Sequence, residues 1–164
     1  MDMIVKNHGA IEVVRIAKGE VRYAVVHALL PIHVRRFFGG HHDVFGKYDR
    51  WTEIGESLAE CKKLLVYESH ASRQLIGEAQ IARMRMMESE EIVSRYGKRF
   101  FLEPAELSAY SKSRRRPLLV FELVDIRKYP RPVSLRKPVT MAGQYVSKPM
   151  YDKVILAAYG RLTV

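Results

Sequence analysis

An α+β fold is predicted for this chain by three observations. Short apolar strands intermix with short helices, glycine or proline punctuates nearly every one of those segments, and no internal repeat or low-complexity linker interrupts them. With 164 residues, 48% of them hydrophobic, the chain can bury one sizeable core, which fits a single domain over residues 21–164. Residues 1–20 are read as an N-terminal extension of open structure, because Ile11-Glu12-Val13-Val14-Arg15-Ile16 fits a strand or one face of a short helix equally well.

From Val21 the run to His27 is β-branched and aromatic, as a buried strand requires, and Pro31 sits where the first turn of a helix tolerates it. That helix reaches about Phe38 and ends at Gly39-Gly40. Val44 to Trp51 mixes aromatic and basic residues around Gly46 and reads as a surface strand or extended loop. Lys63–Tyr67 and Gln74–Ile81 are two strands joined by the polar turn His70-Ala71-Ser72-Arg73, the pattern of a hairpin. Glu88 to Tyr96 starts acidic and stops at Gly97, and Glu103-Pro104 opens a second short helix. Pro117 to Ile126 is a further strand, Pro130, Pro132 and Pro138 predict a turn-rich stretch over 129–139, and a last helix spans about Pro149 to Ala158 before Gly160.

Charge narrows the partners. Lysine and arginine number 28 against 18 acidic residues, a net charge of +10, so polyanions are the natural ligands, held in part by counterion release. A basic surface that serves solubility alone is the competing reading. The longest apolar stretch, Tyr23 to Ile32, is broken by His27 and Pro31 and is far shorter than the roughly 20 residues of a membrane span. No secretion signal opens the chain, and a cytoplasmic location with no membrane partner is expected. Cys61 is the single cysteine and is read as a small buried hydrophobe, which leaves no disulfide and no cysteine-based zinc site. His33, His41, His42 and Asp43 lack metal-ligand spacing, and no Walker or dinucleotide glycine loop is present, so neither a metal nor a cofactor is expected.

Two segments point directly to nucleic acid. Phe45-Gly46-Lys47-Tyr48-Asp49-Arg50-Trp51 places the phosphate-seeking Lys47 and Arg50 beside Tyr48 and Trp51, rings able to cover a base. The alternative buries Phe45 and Trp51 and leaves the cations as a solvated rim. Lys112-Ser113-Arg114-Arg115-Arg116 is a dense cationic run between a helix and a strand, suited to follow a phosphate backbone or simply to face solvent.

The strand Leu64 to Ser69, its polar turn, and Leu75-Ile76-Gly77-Glu78-Ala79-Gln80-Ile81 resemble the central hairpin of the PUA-like superfamily, in its ASCH and EVE branches. Pro31 to Phe38, Val44 to Lys47, Arg99 to Leu102 with Glu106-Leu107, Tyr129 to Val133 and Gly143 to Val146 extend the resemblance to the mainly archaeal domain of unknown function 365. The ASCH glycine-lysine-acidic-arginine pattern is met only loosely by Gly46-Lys47-Tyr48-Asp49-Arg50. The resemblance implies a small mixed β-barrel flanked by short helices, with a cleft that receives nucleotides or modified bases. It implies that Tyr67, Ser69, Glu78, Gln144 and Tyr145 border that cleft, with Arg73 in the turn beside it. The expected activity is binding of single-stranded RNA or a modified base. Gln144 has a second reading, as a side chain that satisfies buried backbone groups, and Gly77 one of close backbone packing. The functional alternative is a small hydrolase of acylated or otherwise modified nucleosides using Lys47 and Glu78, and no nucleophile in the sequence compels it.

Overall fold

The computed structural model describes residues 10–14, 16–48, 54–112, 116–140 and 143–161. In chain order the elements are β1 (Ala24–Leu29), α1 (Pro31–Phe37), β2 (Val44–Lys47), α2 (Glu56–Ala59), β3 (Lys63–Glu68), β4 (Gln74–Met87), α3 (Ser89–Tyr96), a 3₁₀ turn (Gly97–Arg99), α4 (Pro104–Ser111), β5 (Leu118–Ser134), β6 (Gln144–Val146) and α5 (Lys148–Tyr159). The six strands form one mixed sheet in the order β2-β5-β4-β3-β1-β6. β1 and β3 run parallel, and the remaining neighbours are antiparallel.

Both faces of this sheet are covered, which explains why β1 and β3 read as continuous apolar runs instead of alternating ones. Val25, Leu64 and Val66 enter a first core with Phe37, Phe45, Phe121, Ile92 and Leu107, contributed by α1, β2, β5, α3 and α4. Their neighbours Ala24, Val26, Leu65 and Tyr67 enter a second core beneath Met150, Tyr151, Val154 and Ile155 of α5. The sheet coils around the first core: His27 of β1 stacks on Phe45 of β2 at 5.5 Å although three strands separate β1 from β2 in the sheet. No ladder joins β2 to β6, so the mixed α+β sheet remains open at those edges among the described residues.

The hairpin of β3 and β4 pairs antiparallel as predicted, with His70 and Arg73 of its turn at positive φ. α1, α3, α4 and α5 lie where the sequence puts them. α4 carries a capping box between Glu103 and Glu106, and α5 is capped by the Ser147 hydroxyl, which accepts from the Met150 N–H at 3.3 Å. Two expectations are corrected. β4 continues past Ile81 to Met87 because Arg83 to Met87 pair with Leu118 to Glu122. β5 continues through the supposed turn to Ser134: the register passes from Gly77↔Lys128 to Leu75↔Val133, so residues 129–132 bulge and neither Pro130 nor Pro132 needs to donate to the ladder. Gly77 is required here, since a Cβ would lie 2.3 Å from the Arg127 carbonyl oxygen and 2.5 Å from the Phe38 ring.

Ahead of β1, Ile11 is tied to the main sheet. Its N–H donates to the Ser134 carbonyl at 2.7 Å, and the Arg136 N–H donates back to its own carbonyl at 2.9 Å. No helix among the described residues is long and apolar enough to cross a membrane.

Candidate nucleic-acid interface

A cleft of about 1030 Å³ opens where the C-terminal ends of β1, β2 and β3 meet α1 and α4. Its walls are largely aromatic and aliphatic: Phe45 and Tyr48 from β2 and its end, Phe101 before α4, Tyr110 from α4, and Leu29 and Leu30 between β1 and α1. Lys47, Arg73 and Arg116 supply positive charge. Glu106 is the acidic residue among the described lining, and it is already engaged by Arg36 and by His33, whose Nε2 lies 3.5 Å away. The Glu103 N–H, with Arg36 and His33 beside it, holds the Glu106 carboxyl below the usual carboxylate range. The cleft therefore combines three cations with largely apolar walls.

Tyr48 and Tyr110 are the half-buried members of the aromatic wall. Their rings lie 5.0 Å apart, the Tyr48 N–H donates to the Tyr110 hydroxyl at 3.0 Å, and the Arg116 guanidinium lies 5.6 Å from the centre of the Tyr48 ring. This arrangement combines stacking surfaces with a cation in one place, as single-strand recognition uses them.

His27 and Lys47 occupy the inner end. His27 is 5% exposed, and the Lys47 Nζ lies 3.3 Å from its Nδ1. Burial, reinforced by the adjacent Lys47 ammonium, holds this imidazole well below its usual titration range. An ammonium has only donors, so Nδ1 accepts and the neutral ring carries its proton on Nε2. That nitrogen has no partner among the described residues.

Six of the sequence candidates come together here: Lys47, Tyr48, Tyr67, Ser69, Arg73 and Arg116 all line the cleft. Two of them are not available as expected. Tyr67 is 2% exposed and belongs to the second core, so its ring offers no free face for stacking. The Ser69 hydroxyl donates to the Leu29 carbonyl at 3.1 Å and ties the end of β3 to β1. Arg50, Trp51, Arg114 and Arg115 lie outside the described residues.

Gln144 and Tyr145 are corrected in position. They sit on β6 at the sheet edge and do not line the cleft: the Gln144 amide donates to the Val13 carbonyl at 3.4 Å, and Tyr145 packs on the first core with Arg22 over its ring. Backbone satisfaction, the second reading of Gln144, fits this geometry.

Glu78 is corrected more sharply. It is 4% exposed and accepts from the Tyr129 hydroxyl at 2.9 Å and the Tyr151 hydroxyl at 2.7 Å, with Lys63 Nζ at 3.3 Å. Burial and this carboxylate push the phenol of Tyr151 upward, and that of Tyr129 well upward. Both tyrosines belong to the second core, whereas Lys47 meets His27 beside Phe45 and Phe121 of the first, so Lys47 and Glu78 do not form a dyad.

His27, His33, Glu106 and Tyr110 are cleft residues that sequence reasoning did not single out. The one local signal was His27, a lone imidazole inside an apolar strand. The histidines near Asp43 do not gather: His33 turns to Glu106, His42 to the Phe100 carbonyl, and Asp43 to Arg99. Among the described residues no three ligand-type side chains meet around a common point.

The open coiled sheet, with helices over its inner face and a cleft at the strand ends, has the fold of a solved ASCH structure. The crystal structure of ASCH from Zymomonas mobilis matches with a TM-score of 0.67 at 21% identity, covering 82% of this chain and 94% of that one. A single-residue mutant of the same protein matches with a TM-score of 0.67 at 21% identity over 83% of this chain and 96% of its own. At that identity the likeness is one of fold. The family model described as domain of unknown function, DUF365, matches residues 22–148, and the chain belongs to that family. An uncharacterized protein of Methanocaldococcus jannaschii is 27% identical over 104 residues, 57% of this chain and 96% of its own length.

Proposed function

We propose that this protein binds single-stranded RNA, or a modified base within it, in the cleft between β2, α1 and α4. The observation that carries this reading is the meeting of the Tyr48–Tyr110 wall with Lys47, Arg73 and Arg116 around one cavity of about 1030 Å³. A volume of this order receives a nucleoside, the rings cover a base face, and the cations hold its phosphates. Neutralisation of Glu106 by Arg36 removes the main source of repulsion toward a polyanion. The fold of the ASCH structure from Zymomonas mobilis is compatible with this role and adds nothing about the ligand.

Fluorescence anisotropy with unrelated single-stranded RNAs across a salt series tests the reading. Arg73→Ala with Arg116→Ala should weaken binding for every sequence and flatten the dependence of log affinity on log salt by about 0.7 for each phosphate no longer neutralised. Unchanged affinity and slope in the folded double variant would remove the cleft from consideration.

A further inference from the structure

The turn between β3 and β4 joins the cleft wall with two side chains, His70 and Arg73, that its own backbone would fold more easily without. We propose that these two residues form a phosphate clamp, gripping a phosphate of the nucleotide whose base occupies the cleft, and that His70 is a binding residue of that site. The inference rests on the base-docking reading above and assigns the place and chemistry of the phosphate contact.

His70 and Arg73 stand at φ 70° and 55°, in the left-handed region that glycine enters at least cost and a side chain enters only against steric strain. No glycine occurs in the turn. Glycine at these two positions would relax the backbone, so the side chains that occupy them are there for what they touch. Strain of this kind gathers at ligand clamps and active sites. Among the described residues three that are not glycine have positive φ: Asp125 lies within β5, and the other two share one turn and one cleft.

Both residues are exposed and line the cleft, and neither side chain has a hydrogen bond or an ion pair among the described residues. Their backbone, by contrast, is pinned. The Ser69 N–H and hydroxyl both donate to the Leu29 carbonyl, at 2.9 and 3.1 Å, and the Gln74 amide donates to the Ser134 hydroxyl at 2.9 Å. The Glu68 carboxylate, the acid that flanks the turn, accepts from the Ser72 N–H at 3.1 Å. An arginine offers phosphate a charged fork and an imidazole adds an N–H, and a turn already fixed in place loses little freedom when it binds. Tyr48 and Tyr110 line the same cleft, so base and phosphate have separate contacts in one site.

Nucleosides with and without a phosphate separate the clamp from the base contact. The full chain is titrated calorimetrically with uridine and adenosine, with their 5′-monophosphates, and with a uridine hexamer that lacks a terminal phosphate. The parent should bind the monophosphates about tenfold more tightly than the nucleosides. His70→Gly and Arg73→Gly should each remove part of that preference, and the double variant should reduce it to about twofold while binding the nucleosides as the parent does. Its urea midpoint should rise, because glycine relieves the left-handed strain at both positions. Weaker binding of the hexamer by the double variant assigns the phosphate to a strand, and a loss confined to the monophosphates assigns it to free nucleotide; both support the clamp. Where the hexamer alone binds, a loss of at least about fivefold in the double variant supports the clamp and an unchanged affinity overturns it. Equal binding of nucleosides and monophosphates by the parent, a preference untouched by His70→Gly, or a urea midpoint of the double variant below the parent's would overturn this inference and leave base docking standing. Absence of binding by the parent to every nucleoside, both monophosphates and the hexamer would overturn base docking and the clamp together.

Discussion

The molecule buries two polar clusters on opposite faces of one sheet, and they differ in how completely they are satisfied. Around Glu78 every demand is met: two tyrosine hydroxyls and the Lys63 ammonium converge on one carboxylate beneath α5. Around His27 one is left over: Lys47 takes one ring nitrogen, and the other is enclosed with no partner among the described residues. A saturated buried charge fastens elements together, in this case α5 to the sheet. An enclosed donor without a partner fastens nothing.

The largest effect that would break this comparison is on stability. Glu78→Ala leaves Lys63 without its buried partner and two phenols without their acceptor, and should cost about 3–5 kcal/mol in urea unfolding. Lys47→Ala leaves the buried His27 Nδ1 without its donor and should cost less, about 1–3 kcal/mol in the same assay. Equal losses for the two would erase the distinction between the clusters.

Next in size is binding. Tyr48→Ala should lose about 1–3 kcal/mol of RNA affinity if the ring covers one base, measured by anisotropy with folding checked by circular dichroism. Tyr145→Ala, on edge strand β6 outside the cleft lining and with Arg22 over its ring, should bind within about twofold of the parent.

The smallest expected effect concerns pH. The folded His27 imidazole titrates well below 6.5, so below that value the unfolded chain binds a proton that the folded chain refuses. This contribution to stability is complete above about pH 6.5 and declines as the pH falls toward the folded value. Comparing unfolding free energies at pH 7.5 and 5.5, the parent should lose more than His27→Phe on acidification. An identical pH response in the two would contradict the buried neutral ring.

Legibility in the sequence followed the range of the interactions. The β3–β4 hairpin and helices α1, α3, α4 and α5 were readable because capping residues, prolines and terminal glycines act within one turn of the backbone. The far half of β4 and the passage of β5 through Pro130 and Pro132 were not, since only the pairing of the two strands makes them regular. The cleft divides in the same way. Lys47, Tyr48 and Arg116 announced themselves by composition, while Tyr110, on α4, is far along the chain from His27 and His33 and joins them only through tertiary packing. Glu78 shows the limit most clearly. Strict alternation from Leu75 would place it with Ile76 facing the first core, but the register shift between Leu75 and Gly77 turns Leu75 and Glu78 toward the second. One bulge thus moved the supposed partner of Lys47 to the other face of the sheet.

The most direct test of the division between a binding face and a fastening face is anisotropy of a labelled single-stranded RNA with two variants side by side. One is Lys47→Ala combined with Tyr48→Ala, which strips the cleft; the other is Glu78→Gln, which keeps the shape of the fastening cluster and removes its charge. With both proteins folded at the assay temperature, the first should bind at least about tenfold more weakly than the parent and the second within about twofold of it. Loss of binding in Glu78→Gln with retention in the double variant would contradict the account.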